Sequence, residues 1–221
     1  MKRRYKALAW ILGTVAVAIV GLRLVISHDS PCGAAPAIAS GVPTMKGWVH
    51  RCYGGPEVIQ FQDLDKPVAA DDEVIVKVSA VSVNPLDWHV LRGKPYVMRL
   101  GTGVGAPTEP ELGVDFAGVV ESVGKSVTRF KSGDEVFGGA DGTFAEYVRV
   151  NTKRNIVLKP ASISFEQAAA IPIAAVTALQ ALRDAGKLKA GDKVLVNGAS
   201  GGVGTFAVQI AKALGAEVTG V

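Results

Sequence analysis

The 221-residue sequence predicts an α/β protein with an added β-domain: an apolar N-terminal helix, then short antiparallel strands, then the start of a doubly wound parallel sheet. Three observations carry this. The chain opens on a long uncharged run, its middle alternates apolar strands with glycine turns, and its end carries a strand, a glycine-spaced turn and a helix in direct succession.

The first element begins Met1-Lys-Arg-Arg-Tyr-Lys6, runs without a charge from Ala7 to Leu22, and stays apolar after Arg23 as far as Ile26. A spanning helix needs about 20 mostly apolar residues, whereas a signal-peptide core has about 7 to 15. Residues 1–28 therefore read as a single-pass membrane anchor, with Arg23 able to snorkel. Cleavage after Ala37-Ile-Ala39 is the alternative, although that site lies well beyond the apolar run. Residues 29–44, rich in Ala, Pro, Ser and Gly, read as a linker.

The net charge is confined to this end. Lys2, Arg3, Arg4, Lys6 and Arg23, against Asp29, account for the whole net charge of +4. The remainder is neutral, so the basic pI gives no support for nucleic-acid binding. Cations ahead of the span put the N-terminus in the cytoplasm and the following domain outside. Lys46 and Arg51 lie close enough to influence orientation, which leaves the opposite topology open, and translation from Met45 would give a soluble product; both alternatives stand. Cys32 and Cys52, the only cysteines, are too few to assign a redox compartment.

The middle of the chain has strand-like alternation over residues 73–83, 116–123, 135–137 and 144–150, punctuated at Gly124, Gly133 and Gly139. That is a small twisted β-domain. Leu91 to Glu111, with many Gly and Pro, reads as an irregular loop beside the site, and Phe165 to Leu188 as a helix interrupted at Pro172. At the C-terminal end a short apolar run, Val194 to Val196, leads into Asn197, Gly198, Ala199, Ser200, Gly201, Gly202, Val203 and Gly204. A helix follows with Phe206, Ile210, Ala211 and Leu214 at helical spacing, Gly215 ends it, and Glu217 to Val221 forms a second strand. Glycines let backbone N–H groups approach a pyrophosphate, whose charge then sits on the positive end of the helix. Residues 197–204 are the candidate cofactor-binding set.

Upstream lie Gly54-Gly-Pro-Glu-Val58, Val83-Asn-Pro-Leu-Asp87, Leu112-Gly-Val-Asp-Phe-Ala-Gly-Val-Val120, Gly133-Asp-Glu-Val-Phe137 and Gly142-Thr-Phe-Ala-Glu-Tyr-Val148. From about Met45 onward the chain resembles the medium-chain dehydrogenase/reductases, on the zinc-independent quinone oxidoreductase side. The resemblance implies a GroES-like catalytic domain over 45–164 and a Rossmann cofactor-binding domain from 165 that is incomplete at 221. It also implies a homodimer for the full-length form, and NADPH as cofactor with NADH as the alternative, since the residues that separate them fall after the second strand.

Where zinc members of the family carry their metal ligands, this chain has Asn84, Val114 and Ile173, so the resemblance implies no metal site and no zinc. A catalytic zinc needs about three Cys, His or carboxylate side chains, and valine and isoleucine supply none. The reaction implied is hydride transfer to an acceptor that needs little electrophilic help: a quinone, or alternatively the C=C bond of an enone or alkenal. A third reading is a non-enzymatic dinucleotide-sensing or scaffold protein.

Two residues are candidates for catalytic polar contact. Asn84 would donate to a developing oxygen anion, or be a turn residue bonding local backbone before Pro85. Thr177 matches a position near the nicotinamide, or is a helix threonine bonding its own backbone. The proton relay of zinc members is broken here because Leu86 replaces its hydroxyl, leaving His89 and Asp87 as structural residues. Trp88 and Tyr96 are candidates for an apolar acceptor pocket or for plain packing.

Overall fold

The computed structural model describes residues 2–153 and 156–221, with side chains from residue 10 onward in the first helix; the basic side chains of Lys2, Arg3, Arg4 and Lys6 lie outside the described residues. The chain divides into two units: residues 1–64 with 85–112, and residues 65–84 with 113–221.

In the first unit the uncharged run forms α1, Lys2–Ser27. From Trp10 to Val25 its side chains are exposed, and Trp10–Ser27 is long and apolar enough to cross a membrane. Two strands, β1 (Thr44–His50) and β2 (Ile59–Asp65), form a two-stranded sheet. The segment expected to be an irregular loop is more ordered than its composition suggests. The end of α2 (Pro85–Arg92) runs into it, and a 3₁₀ turn over Tyr96–Met98 and α3 (Arg99–Thr102) lie within it. Periodicity is blind to helices this short, and α3 is held by side-chain bonds. Arg99, 1% exposed, donates to the carbonyl oxygens of Gly93 (2.9 Å), Ile26 (3.2 Å) and His28 (3.0 Å) and to Asp29 Oδ1 (2.7 Å).

The stretch read as a linker is fixed at its start. Asp29 pairs with Arg99, the Ser30 N–H donates to the Gly105 carbonyl at 2.9 Å, and a disulfide joins Cys32 to Cys52.

The second unit is built on a five-stranded antiparallel sheet in the order β6-β3-β4-β5-β7. Its strands are β3 (Glu73–Ser82), β4 (Asp115–Val123), β5 (Glu135–Gly139), β6 (Tyr147–Asn151) and β7 (Ile156–Leu158). One face of alternate residues closes a core of Val74, Val76, Phe116, Val120, Val136, Val148, Val150 and Ile156. Register shifts at Ile75/Val76 and Val78/Ala80 leave Ser82 directly opposite Asp115. That pairing shapes the site.

Helix α4 (Phe165–Ala169) opens with a capping box of Ser164 and Gln167 and lays Ala168 and Ala169 on Ala117 of the sheet. After α5 (Pro172–Leu179), which starts at the expected Pro172 break, the helix widens into a π turn over Gln180–Ala185. Strands β8 (Lys193–Val196) and β9 (Glu217–Gly220) pair in parallel on either side of α6 (Gly202–Ala213). Ala178 of α5, Val196 of β8 and Ala207 of α6 close an apolar cluster between these elements.

Candidate active site

The glycine turn leaves β8 at Asn197, which is exposed, and reverses at Gly198 with φ +76°. The N–H groups of Gly198 and Ala199 bond the carbonyl oxygen of Val221 at 2.8 and 3.0 Å, pinning the turn to the end of the second strand. The first α-helical hydrogen bond of α6 is Thr205 N–H to Gly201 O at 2.9 Å. Gly202, Val203 and Gly204 are the first three helical residues, so their N–H groups have no partner within the helix and point along its axis. No acidic residue stands in this first turn to neutralise it. A Cβ on Gly204 would run into the Gly198 carbonyl, so glycine there lets helix and turn close together. Gly201, Gly202 and Val203 stay exposed. An exposed helix N-terminus with free N–H groups fits a diphosphate.

A second centre forms where β3, β4 and α5 meet. The Asp115 side chain is fully buried. Its Oδ2 accepts from Ser82 Oγ at 3.0 Å and Asn84 Nδ2 at 3.1 Å, and the Ile173 N–H at the start of α5 reaches both carboxylate oxygens at 3.3 Å. Burial pushes the Asp115 carboxyl up, against the lowering effect of these donors. The carboxylate also fixes which way the Asn84 amide faces, because only the NH₂ end can donate to it. Asn84 Nδ2 lies 3.1 Å from Ser82 Oγ as well. The three atoms make a nearly equilateral triangle, with about 60° between the two acceptors as seen from Nδ2, so the amide is held by both.

The structure thus gathers the three positions Asn84, Val114 and Ile173 around one carboxylate: two bond it, and Val114 precedes it in the chain. Among the described residues no three of His, Cys, Asp and Glu converge as metal ligands. Thr177 is exposed on α5, one helical turn beyond Ile173 on the same face. Ala178, beside it, packs toward α6, so α5 ties the carboxylate centre to the glycine turn.

Other expected residues fall in the first unit. His89 Nδ1 donates to the Lys94 carbonyl at 2.7 Å, a structural role. Tyr96 is stacked by the Arg99 guanidinium at 4.8 Å, and Trp88 carries Arg92 over its face at 5.0 Å. Sequence reading missed Asp115 and Arg99. For Asp115 the signal was a lone acid within the apolar run Leu112 to Val120; for Arg99 none was present.

Comparison with known proteins agrees with this fold. Residues 70–161 match the alcohol dehydrogenase GroES-like domain. The quinone oxidoreductase of Sus scrofa is 42% identical over 172 residues, 76% of this chain and 50% of that protein. The 2-methylene-furan-3-one reductase of Solanum lycopersicum is 37% identical over 204 residues, 86% of this chain and 50% of that protein. The solved structure of Escherichia coli quinone oxidoreductase complexed with NADPH superposes with a TM-score of 0.68 at 32% identity, over 80% of this chain and 52% of that one. The fold and these matches define a GroES-like β-domain continuing into the start of a Rossmann-like fold. The chain belongs to the medium-chain dehydrogenase/reductase superfamily and is quinone oxidoreductase-like. It spans about half the length of the curated relatives it matches.

Proposed function

We propose that this protein is a zinc-independent reductase that passes a hydride from NADPH to a quinone or a similar conjugated carbonyl acceptor. The observation that carries the proposal is the α6 N-terminus: Gly202, Val203 and Gly204 offer N–H groups to a diphosphate from a turn that glycine alone can close. A bound reduced nicotinamide supplies the hydride. Residues 197–204 hold the phosphates. Asp115 holds Asn84 and the start of α5 in fixed relation, and Asn84 with the exposed Thr177 presents polar groups to the acceptor oxygen as charge develops on it. The zinc-free reading rests on donor chemistry, since Val114 and the Ile173 side chain have nothing to offer a metal. The quinone oxidoreductase of Sus scrofa and the NADPH complex of the Escherichia coli protein support this reading.

A C=C reductase acting on enones or alkenals is the second reading, favoured by the likeness to the Solanum lycopersicum reductase. NADPH oxidation followed at its near-ultraviolet absorbance, with a quinone and with an enone, each with and without chelator, separates the two. Chelator-resistant turnover that is faster with quinone is expected. Turnover that stops with chelator overturns the zinc-free reading, and faster turnover of the enone overturns the quinone.

In this reading the chain folds as an anchor over 1–28, a catalytic domain over 45–164 and cofactor-binding elements from 165, with α1 in the membrane and the N-terminus on the cytoplasmic side. The Cys32–Cys52 disulfide supports that side, because disulfides persist in oxidising compartments. The nicotinamide cofactor must then be supplied outside the cytoplasm. Protease protection of sealed vesicles tests the orientation: cleavage of the domain from the cytoplasmic face overturns it.

A further inference from the structure

An apolar surface in the first unit lies where α1 ends. Val97 is 62% exposed, Leu100 61% and Val104 50%, spaced so that the 3₁₀ turn, α3 and the residues after it present them in succession. Exposed aliphatics of this size are common singly, but these three surround one buried anchor point. Arg99, between Val97 and Leu100, donates to the carbonyl oxygens of Ile26 and His28. Those acceptors belong to the last turn of α1 and the residue just past it, where a helix has carbonyls without intrahelical partners. Val104 is held at the same level, because the neighbouring Gly105 carbonyl accepts from the Ser30 N–H at 2.9 Å.

The end of the apolar span therefore sits within one arginine side chain of the patch. The transition from membrane to water falls here too: Arg23 is one turn inside the helix end, and His28 and Asp29 follow it. Arg92 and Lys94, both exposed, border the segment and suit lipid phosphates. The occupant of this surface is fixed by that proximity.

We propose that Val97, Leu100 and Val104 insert into the interfacial layer of the same bilayer that α1 spans, so that the first unit is seated on the membrane and does not swing on a linker. This rests on the reading of α1 as a membrane span. Arg99, Asp29 and the Cys32–Cys52 disulfide make the connection short and rigid; the three aliphatics give it a footing.

The test is nitroxide accessibility in the full chain, reconstituted into phosphatidylcholine–phosphatidylglycerol vesicles. The disulfide occupies both native cysteines, so a single introduced cysteine is labelled alone. Val97→Cys, Leu100→Cys and Val104→Cys are compared with Ile19→Cys inside the span and Lys125→Cys in a charged turn beside Asp71. Relative collision with oxygen over a water-soluble nickel chelate is expected to be several-fold higher at the three patch positions than at Lys125, and highest at Ile19. Values at the patch equal to Lys125, with Ile19 still oxygen-rich, overturn the seating and leave the anchor intact. A chelate-accessible Ile19 overturns the anchor, and the seating with it.

Discussion

Arg99 in the first unit and Asp115 in the second are both buried charges, and they organise their surroundings in opposite senses. Arg99 collects acceptors: the carbonyl oxygens of Gly93, Ile26 and His28, with Asp29 as counter-ion. Asp115 collects donors: the Ser82 hydroxyl, the Asn84 amide and the Ile173 N–H, with no cation among those partners. The first arrangement ties down segments with little regular structure of their own. The second sits at the rim of a well-formed sheet and aims one side chain. A buried charge replaces hydrophobic packing in one unit and supplements it in the other.

The largest effect is expected from removing the cation. Arg99→Met keeps much of the side-chain volume but leaves the buried Gly93 carbonyl and the part-buried carbonyls of Ile26 and His28 without this donor, at a cost of about 3 kcal/mol. Urea unfolding in detergent micelles checks this, and a loss below about 1 kcal/mol would mean that the disulfide and α1 hold the segment unaided. Gly204→Ala tests the backbone-built part of the second unit. Overpacking against the Gly198 carbonyl should cost about 2 kcal/mol and abolish saturable quenching by NADPH.

Asp115→Asn sharpens the comparison through pH. Burial raises the Asp115 carboxyl above its ordinary value, so the folded state holds this proton more tightly than the unfolded chain. Its contribution to stability is then fully present at the acid end and is lost as pH rises through the raised value. Wild type should therefore lose stability relative to Asp115→Asn across the range above the ordinary aspartate value, a slope of the opposite sign to a salt-bridged carboxylate. Paired melts at several pH values measure it. The smallest effect belongs to Ser164→Ala, which removes half of the α4 capping box and should cost about 1 kcal/mol without changing nucleotide affinity.

What could be read from the sequence follows the same division. The antiparallel strands, the break at Pro172 and the β-turn-α-β ending are all written in periodicity and glycine placement, which report backbone geometry directly. The glycine turn was legible for that reason. The short helices between Pro85 and Thr102 were not, because α3 depends on an arginine whose acceptors, Ile26 and His28, lie some seventy positions earlier. The Asn84 site was half legible. Its polar side chain stood out beside Pro85, but the carboxylate that fixes the amide depends on the register that sets Ser82 opposite Asp115, which two strand irregularities determine.

The central claim is that Asn84, oriented by Asp115, serves hydride transfer next to a nucleotide held by the glycine turn. Steady-state NADPH oxidation with a quinone, in chelator, on wild type and Asn84→Ala tests it most directly. The account predicts a fall in kcat of about tenfold to a hundredfold with NADPH affinity unchanged; an Asn84→Ala enzyme with the kcat of wild type would contradict it.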